Sequence, residues 1–63
     1  MNNMDKIIIL SLADNNMSVN ATARNLCYHR NTVQYHIDGV KKETGLNAKQ
    51  FYDLVKLVEI AKG

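Results

Sequence analysis

The segment Asn20–Ile37, with the sequence NATARNLCYHRNTVQYHI, decides the fold of this chain of 63 residues. It predicts a short helix, a turn of about three residues and a second, longer helix. Two helices joined by so short a turn pack closely at a steep angle, which requires a small residue on the inner face of the first helix. Ala23 is the small residue that meets this need. Three larger apolar residues follow it at helical spacing: Leu26, Val33 and Ile37. The spacing therefore predicts a helix-turn-helix.

Two more helices are expected, one on each side of this segment. The chain has no proline, and its apolar residues recur at helical rather than strand spacing. Ile7–Ile9 alone would also suit a strand, but its neighbours favour a helix. Asn2 or Asn3 is expected to cap the first helix, Asn20 the second and Asn47 the fourth, with Gly45 ending the third. We predict one all-α, four-helix domain over residues 1–63, with helices at about 4–14, 21–26, 30–44 and 48–62.

Composition limits the class of protein and its compartment. The net charge is only +2, from 8 basic and 6 acidic residues, and the basic excess lies in the middle and at the end of the chain. This suits a polyanionic partner without demanding one. A single cysteine favours a reducing compartment, no signal peptide is evident, and the longest apolar run, Ile7–Leu10, is too short to cross a membrane. A cytoplasmic protein without membrane contact is expected.

Catalytic and metal-binding patterns are missing from the sequence. Cys27, His29 and His36 are the only soft metal ligands, whereas a structural zinc site needs four. A Cys–His pair would need a pocket and a third orienting group to act as a nucleophile. Cys27 is instead expected to be a small, half-buried apolar residue in the turn. We therefore expect no enzyme, no metal and no cofactor.

The third helix carries the residues with the chemistry of DNA recognition. If Val33 and Ile37 are buried, polar side chains crowd the start of this helix and its opposite face. Arginine can bind guanine through two hydrogen bonds, asparagine and glutamine can do the same with adenine, and hydroxyls and helix amino ends hold phosphates. The candidate DNA-binding residues are Asn20, Thr22, His29, Arg30, Asn31, Thr32, Gln34 and Tyr35.

Several of these candidates have a structural alternative. Arg30 would also suit a merely exposed position, and His29 and Asn31 could serve as caps of the third helix. Thr32 suits a phosphate contact or a local cap better than base reading. Asn20 is expected mainly as an N-cap.

Two motifs in this segment resemble a known family. Ala21-Thr22-Ala23-Arg24 and His29-Arg30-Asn31-Thr32 look like the second helix and the start of the recognition helix in the C-terminal helix-turn-helix of PucR-type regulators of purine and sugar-diacid catabolism. The resemblance covers about residues 7–60, and Fis-type domains are more distantly similar. It implies binding of double-stranded DNA in bacterial transcription control, by a domain that normally ends a longer polypeptide with a sensing region. Asn20 stands where serine is usual, and the usual basic residues near Gln34 and His36 are replaced, so a different sequence preference and a lower affinity are expected.

The last helix has a broad apolar arc, which suits either the core or an interface between two copies. A homodimer through residues 48–62 is therefore one expectation. The rival to DNA binding is a helical interaction or dimerisation module that does not bind DNA. The mild charge and Asp38, on the face proposed for DNA, favour that rival. The salt dependence of binding separates the two.

Overall fold

Four helices and no strand make up the chain, as the sequence predicts. The structure is a computed structural model that describes all 63 residues. Its helices are α1 (Asn3–Asp14), α2 (Val19–Leu26), α3 (Arg30–Thr44) and α4 (Phe51–Lys62). The run Ile7–Ile9 is helical, and no helix has the length and apolar character needed to cross a membrane.

Helix α1 lies at the centre of the fold. It packs against each of the other three helices, whereas α4 packs against α1 alone and α2 pairs with α3. Ile8, Ile9 and Leu12 of α1 are fully buried, while Ile7 is 47% exposed. Adjacent isoleucines can both be buried because a helix with neighbours on several sides hides a wide arc of its surface. The helix-turn-helix therefore depends on α1 for its support.

A capping box begins α1 and links it to α3. The Asn2 side chain accepts a hydrogen bond from the Asp5 N–H (2.8 Å), and the Asp5 carboxylate accepts one from the Asn2 N–H (3.1 Å). The other Asp5 oxygen lies 2.7 Å from Nδ1 of His36 on α3, and both side chains are largely buried. One carboxylate thus closes the first turn of α1 and fixes α3 against it.

The start of α2 differs from the sequence prediction. Ser18 is the N-cap, with its hydroxyl accepting a hydrogen bond from the Ala21 N–H (3.1 Å), and Asn20 is already the second residue of the helix. Asn16 and Met17 immediately before it are both left-handed, with φ of 55° and 67°. This reversal of the chain places Ser18, rather than Asn20, at the amino-terminal end of α2.

Helix α4 also begins later than predicted, at Phe51 rather than residue 48. The Asn47 side chain does accept a hydrogen bond, from the Lys49 N–H (2.9 Å), but it closes a single turn. Its own N–H is bonded to the Asp53 carboxylate (3.1 Å), and Ala48 is fully buried. Asn47 therefore caps a turn that leads into α4 without being part of it.

The ends of α2 and α3 are both left-handed. Gly45 (φ 77°) ends α3 as predicted, in a conformation that glycine adopts at low cost. Cys27 (φ 59°) ends α2 and is exposed, so the prediction of a half-buried position is wrong. The left-handed turn directs this side chain into solvent. Tyr28, next in the chain, packs on the core instead.

The predicted mini-core of the helix-turn-helix is present. Ala23, Val33 and Ile37 are buried in the main hydrophobic cluster, and Leu26 packs against it at partial exposure. Val40 continues the buried side of α3. These contacts determine which side of α3 faces away from the protein.

Candidate nucleic-acid interface

The amino-terminal half of α3 presents polar side chains to solvent. Because Val33 and Ile37 are buried, the residues about half a turn away must point outward. Arg30, Asn31 and Thr32 of the first turn are exposed, and Tyr35 is 74% exposed. Four of the predicted site residues are thus exposed within the first two turns of α3, and this group is here called the α3 face. Gln34 lies at its edge and is half-buried.

His29 caps this helix. Its Nδ1 accepts a hydrogen bond from the Asn31 N–H (3.1 Å), and its carbonyl accepts bonds from the N–H groups of Thr32 (2.9 Å) and Val33 (3.3 Å). The helix amino end therefore keeps only the Arg30 N–H free, fewer donors than the sequence suggested. Since Nδ1 is the acceptor, the neutral ring carries its proton on Nε2, a donor on the exposed residue.

The side chains of Asn31 and Arg30 make no hydrogen bond within the chain. The cap of α3 is His29, which accepts the Asn31 backbone N–H, and the Asn31 side chain does not act as a cap. Both side chains are exposed at the start of α3. Their donors and acceptors are therefore free to meet a ligand.

The middle of the α3 face is less open. Gln34 donates a hydrogen bond from Nε2 to Oδ1 of Asp38 (2.9 Å), one turn later. The Tyr35 ring meets the His36 ring edge-on, with centroids 5.4 Å apart. His36 itself is held by Asp5 and lies off the α3 face. Neither the Gln34–Asp38 hydrogen bond nor the Tyr35–His36 contact was predicted from the sequence. The i, i+4 spacing of Gln34 and Asp38 could have indicated the first of them.

Basic residues lie at both ends of the exposed side of α3. Arg30 begins the helix, and Lys41 and Lys42 lie exposed in its last turn. Asp38 and Glu43 partly offset them. A long anion lying along α3 would meet positive charge at each end and one carboxylate in the middle.

The two candidates on α2 have different positions. Asn20 is exposed in the first turn, where its side chain is accessible. Thr22 is fully buried, and its side chain cannot reach DNA. Thr22 faces inward because it lies four residues before Leu26, on the side of α2 that packs against the core. The prediction of Thr22 as a DNA-binding residue is therefore wrong.

The hydroxyl of Thr22 has no hydrogen-bond partner, which leads to a stability prediction. Thr22→Val should raise the free energy of unfolding by about 1 kcal/mol, because a buried hydroxyl without a partner is destabilising. Valine and threonine have similar helix propensities. Urea denaturation followed by circular dichroism measures the change. The exposed Thr32→Val is the matched control and should change stability little; a loss of stability in Thr22→Val would contradict the prediction.

Comparison with known families supports the helix-turn-helix fold. The family model of the PucR C-terminal helix-turn-helix domain matches residues 8–58, which includes all of α2 and α3 and most of α1 and α4. The chain belongs to this family. The resemblance of the two motifs in Asn20–Ile37 is thereby confirmed. Neither a curated protein nor a solved structure matches the chain.

Membership in the PucR C-terminal family supports a role as a DNA-binding regulator. The matched region begins at Ile8, the first fully buried residue of α1, and ends at Val58, after the last fully buried residue, Leu57. The family match thus spans the whole buried core. In this PucR-type domain the α3 face is a group of exposed hydrogen-bonding side chains on the helix-turn-helix.

Proposed function

We propose that the chain binds double-stranded DNA in a sequence-specific manner as part of a bacterial transcription regulator. Helix α3 enters the major groove, and α2 crosses the backbone beside it. The observation that carries this proposal is the α3 face: free polar side chains project from a helix whose other side is locked in the core. A cytoplasmic location follows, since the chromosome is there. The role is binding rather than catalysis.

The base contacts are assigned to three side chains. Arg30 donates two hydrogen bonds to a guanine, and Asn31 and Gln34 are suited to adenine. Arg30 and Asn31 have no internal partner, so no hydrogen bond within the protein is broken when they bind. Tyr35 contacts the groove beside them through its exposed ring and hydroxyl.

Phosphate contacts are assigned to the edges of the site. Thr32 and Asn20 supply neutral polar groups, and the Nε2–H of His29 supplies a donor at the end of α3. The free Arg30 N–H adds one backbone donor. These contacts set the position of α3 in the groove without reading sequence.

Selection of duplexes from a random pool, followed by titration of the winning duplex at several salt concentrations, tests the proposal. We expect an enriched motif and an association constant that falls with salt, with a slope of about 0.9 per neutralised phosphate on logarithmic axes. If no sequence motif is enriched, or if the association constant does not change with salt concentration, the result would instead favour the interaction module that does not bind DNA.

We also propose that two copies pair through α4. This helix packs on α1 alone, so pairing there leaves both α3 faces free. Phe51 (60% exposed) and Val55 (43% exposed) line an apolar groove of about 580 Å³ between α4 and the end of α1. Phe51, Val55, Val58 and Lys62 follow one another on one side of the helix.

That row of residues is self-complementary, which favours a second copy as the occupant. In an antiparallel pair centred between Val55 and Val58, these valines meet each other. Phe51 then lies against Lys62 of the other copy, a cation–π arrangement that the two-fold axis repeats. A 12-residue helix is only about 18 Å long, so two such helices bury less area than the roughly 1,600 Å² of a standard interface. The dimer is therefore weak in solution and is completed on DNA with two half-sites.

Sedimentation equilibrium over a wide concentration range tests this pairing. We expect reversible dimers at high concentration, weakened by Val55→Gln. The neighbouring Lys56→Gln introduces the same residue outside the row and should leave association unchanged. A monomer at every concentration would refute the pairing.

A further inference from the structure

We infer that Asp38 is a positioning residue that orients Gln34 to read an A·T base pair. The inference rests on the proposed DNA binding and concerns one contact within it. Gln34 Nε2 donates to Asp38 Oδ1 over 2.9 Å along the α3 face. Asp38 is exposed and makes no other hydrogen bond within the chain.

The Asp38 carboxylate selects one orientation of the Gln34 amide. An ionised carboxylate only accepts hydrogen bonds, whereas the amide has an NH₂ group that donates and an oxygen that accepts. A flipped amide would place oxygen against oxygen. Asp38 therefore keeps Nε2 on its own side and leaves the second N–H and the Oε1 of Gln34 for a ligand.

A side-by-side donor and acceptor match adenine. Its major-groove edge offers the N7 acceptor next to the N6 amino donor, which glutamine can bind through both amide atoms. Guanine offers two acceptors there and would leave the glutamine oxygen facing an acceptor. Fixing the amide before binding favours adenine over guanine at this position.

The carboxylate also affects affinity for every sequence. It lies between Arg30 and the Lys41–Lys42 pair on the side of α3 proposed to face DNA, where it repels phosphates whatever the base sequence. Asp38 thus lowers general affinity and raises discrimination at one base pair. This gives a role to a residue whose charge otherwise opposes DNA binding.

Affinities of the selected duplex and of its single base-pair variants test the inference. Gln34→Ala identifies the base pair that Gln34 reads, because the preference of the protein at that base pair should be lost in this variant. Asp38→Asn should strengthen binding to all duplexes a few-fold and cut the preference for A·T at that pair roughly fivefold or more. Asp38→Glu, which keeps an acceptor one turn away, should restore most of the preference.

The control is Asp38→Asn in the Gln34→Ala background, where it should raise all affinities equally. If the wild-type chain selects a motif but Asp38→Asn changes the affinity for every duplex by the same factor, this inference alone is overturned. A wild-type chain that selects no motif overturns the proposed function as well. Asp38 is exposed, so these variants should fold, and circular dichroism checks that they do.

Discussion

Replacing Ile9 with alanine is expected to destabilise the fold more than any other change considered. Ile9 is fully buried on α1, the helix that contacts all three others. Truncating a buried isoleucine costs about 2–5 kcal/mol, through lost burial and the cavity left behind. A chain of 63 residues has a total stability of only about 3–9 kcal/mol by its length. The variant should lose roughly half of its stability, seen as a lower urea midpoint at 25 °C.

Ile7→Ala is the matched control for this change. It removes the same atoms from the same helix, two residues earlier, where the side chain is 47% exposed. The gain in helix propensity is equal in the two variants, so the difference reports burial alone. Urea denaturation should show a much smaller loss for Ile7→Ala. Equal losses would mean that α1 is not the centre of the core.

Arg30→Ala is expected to have the largest effect on DNA binding. Arg30 is exposed at the start of α3, has no partner within the chain and is the one arginine on the α3 face. Loss of a bidentate contact to guanine costs about 1–3 kcal/mol, or roughly 5- to 150-fold in affinity for the preferred duplex. The preference at one G·C pair should weaken with it. Fluorescence anisotropy on the selected duplex and its base-pair variants measures both.

Lys56→Ala separates this effect from a general loss of charge. It also removes one positive charge, but from α4, which makes no contact with α2 or α3. It should change affinity little and leave base preference intact. If Arg30→Ala behaves like Lys56→Ala, the α3 face is not the DNA-reading surface.

The position of the candidate site was predictable because burial on α3 follows from spacing. Once Val33 and Ile37 are known to face inward, helical geometry places Asn31 and Tyr35 on the outside. Arg30 is exposed because it is the first residue of the helix. The prediction for Thr22 was wrong although the spacing argued against it, because Thr22 lies four residues before Leu26 and so on the same side of α2. The family motif includes Thr22 without indicating which way it points. Its burial depends on how α1 and α3 meet α2.

The sequence by itself determined the class of fold, the order of the helices, the mini-core and the family. Each depends on local spacing and on residue types that lie close together in the chain, such as Ala23 and Leu26 or Gly45 at the end of α3. Only the tertiary structure decided that Asp5 binds His36, that Ser18 rather than Asn20 caps α2, and that Thr22 is buried. The Asp5–His36 contact joins residues 31 positions apart. Such a pair depends on how whole helices pack, which no local pattern encodes, and the full burial of Thr22 depends on the same packing.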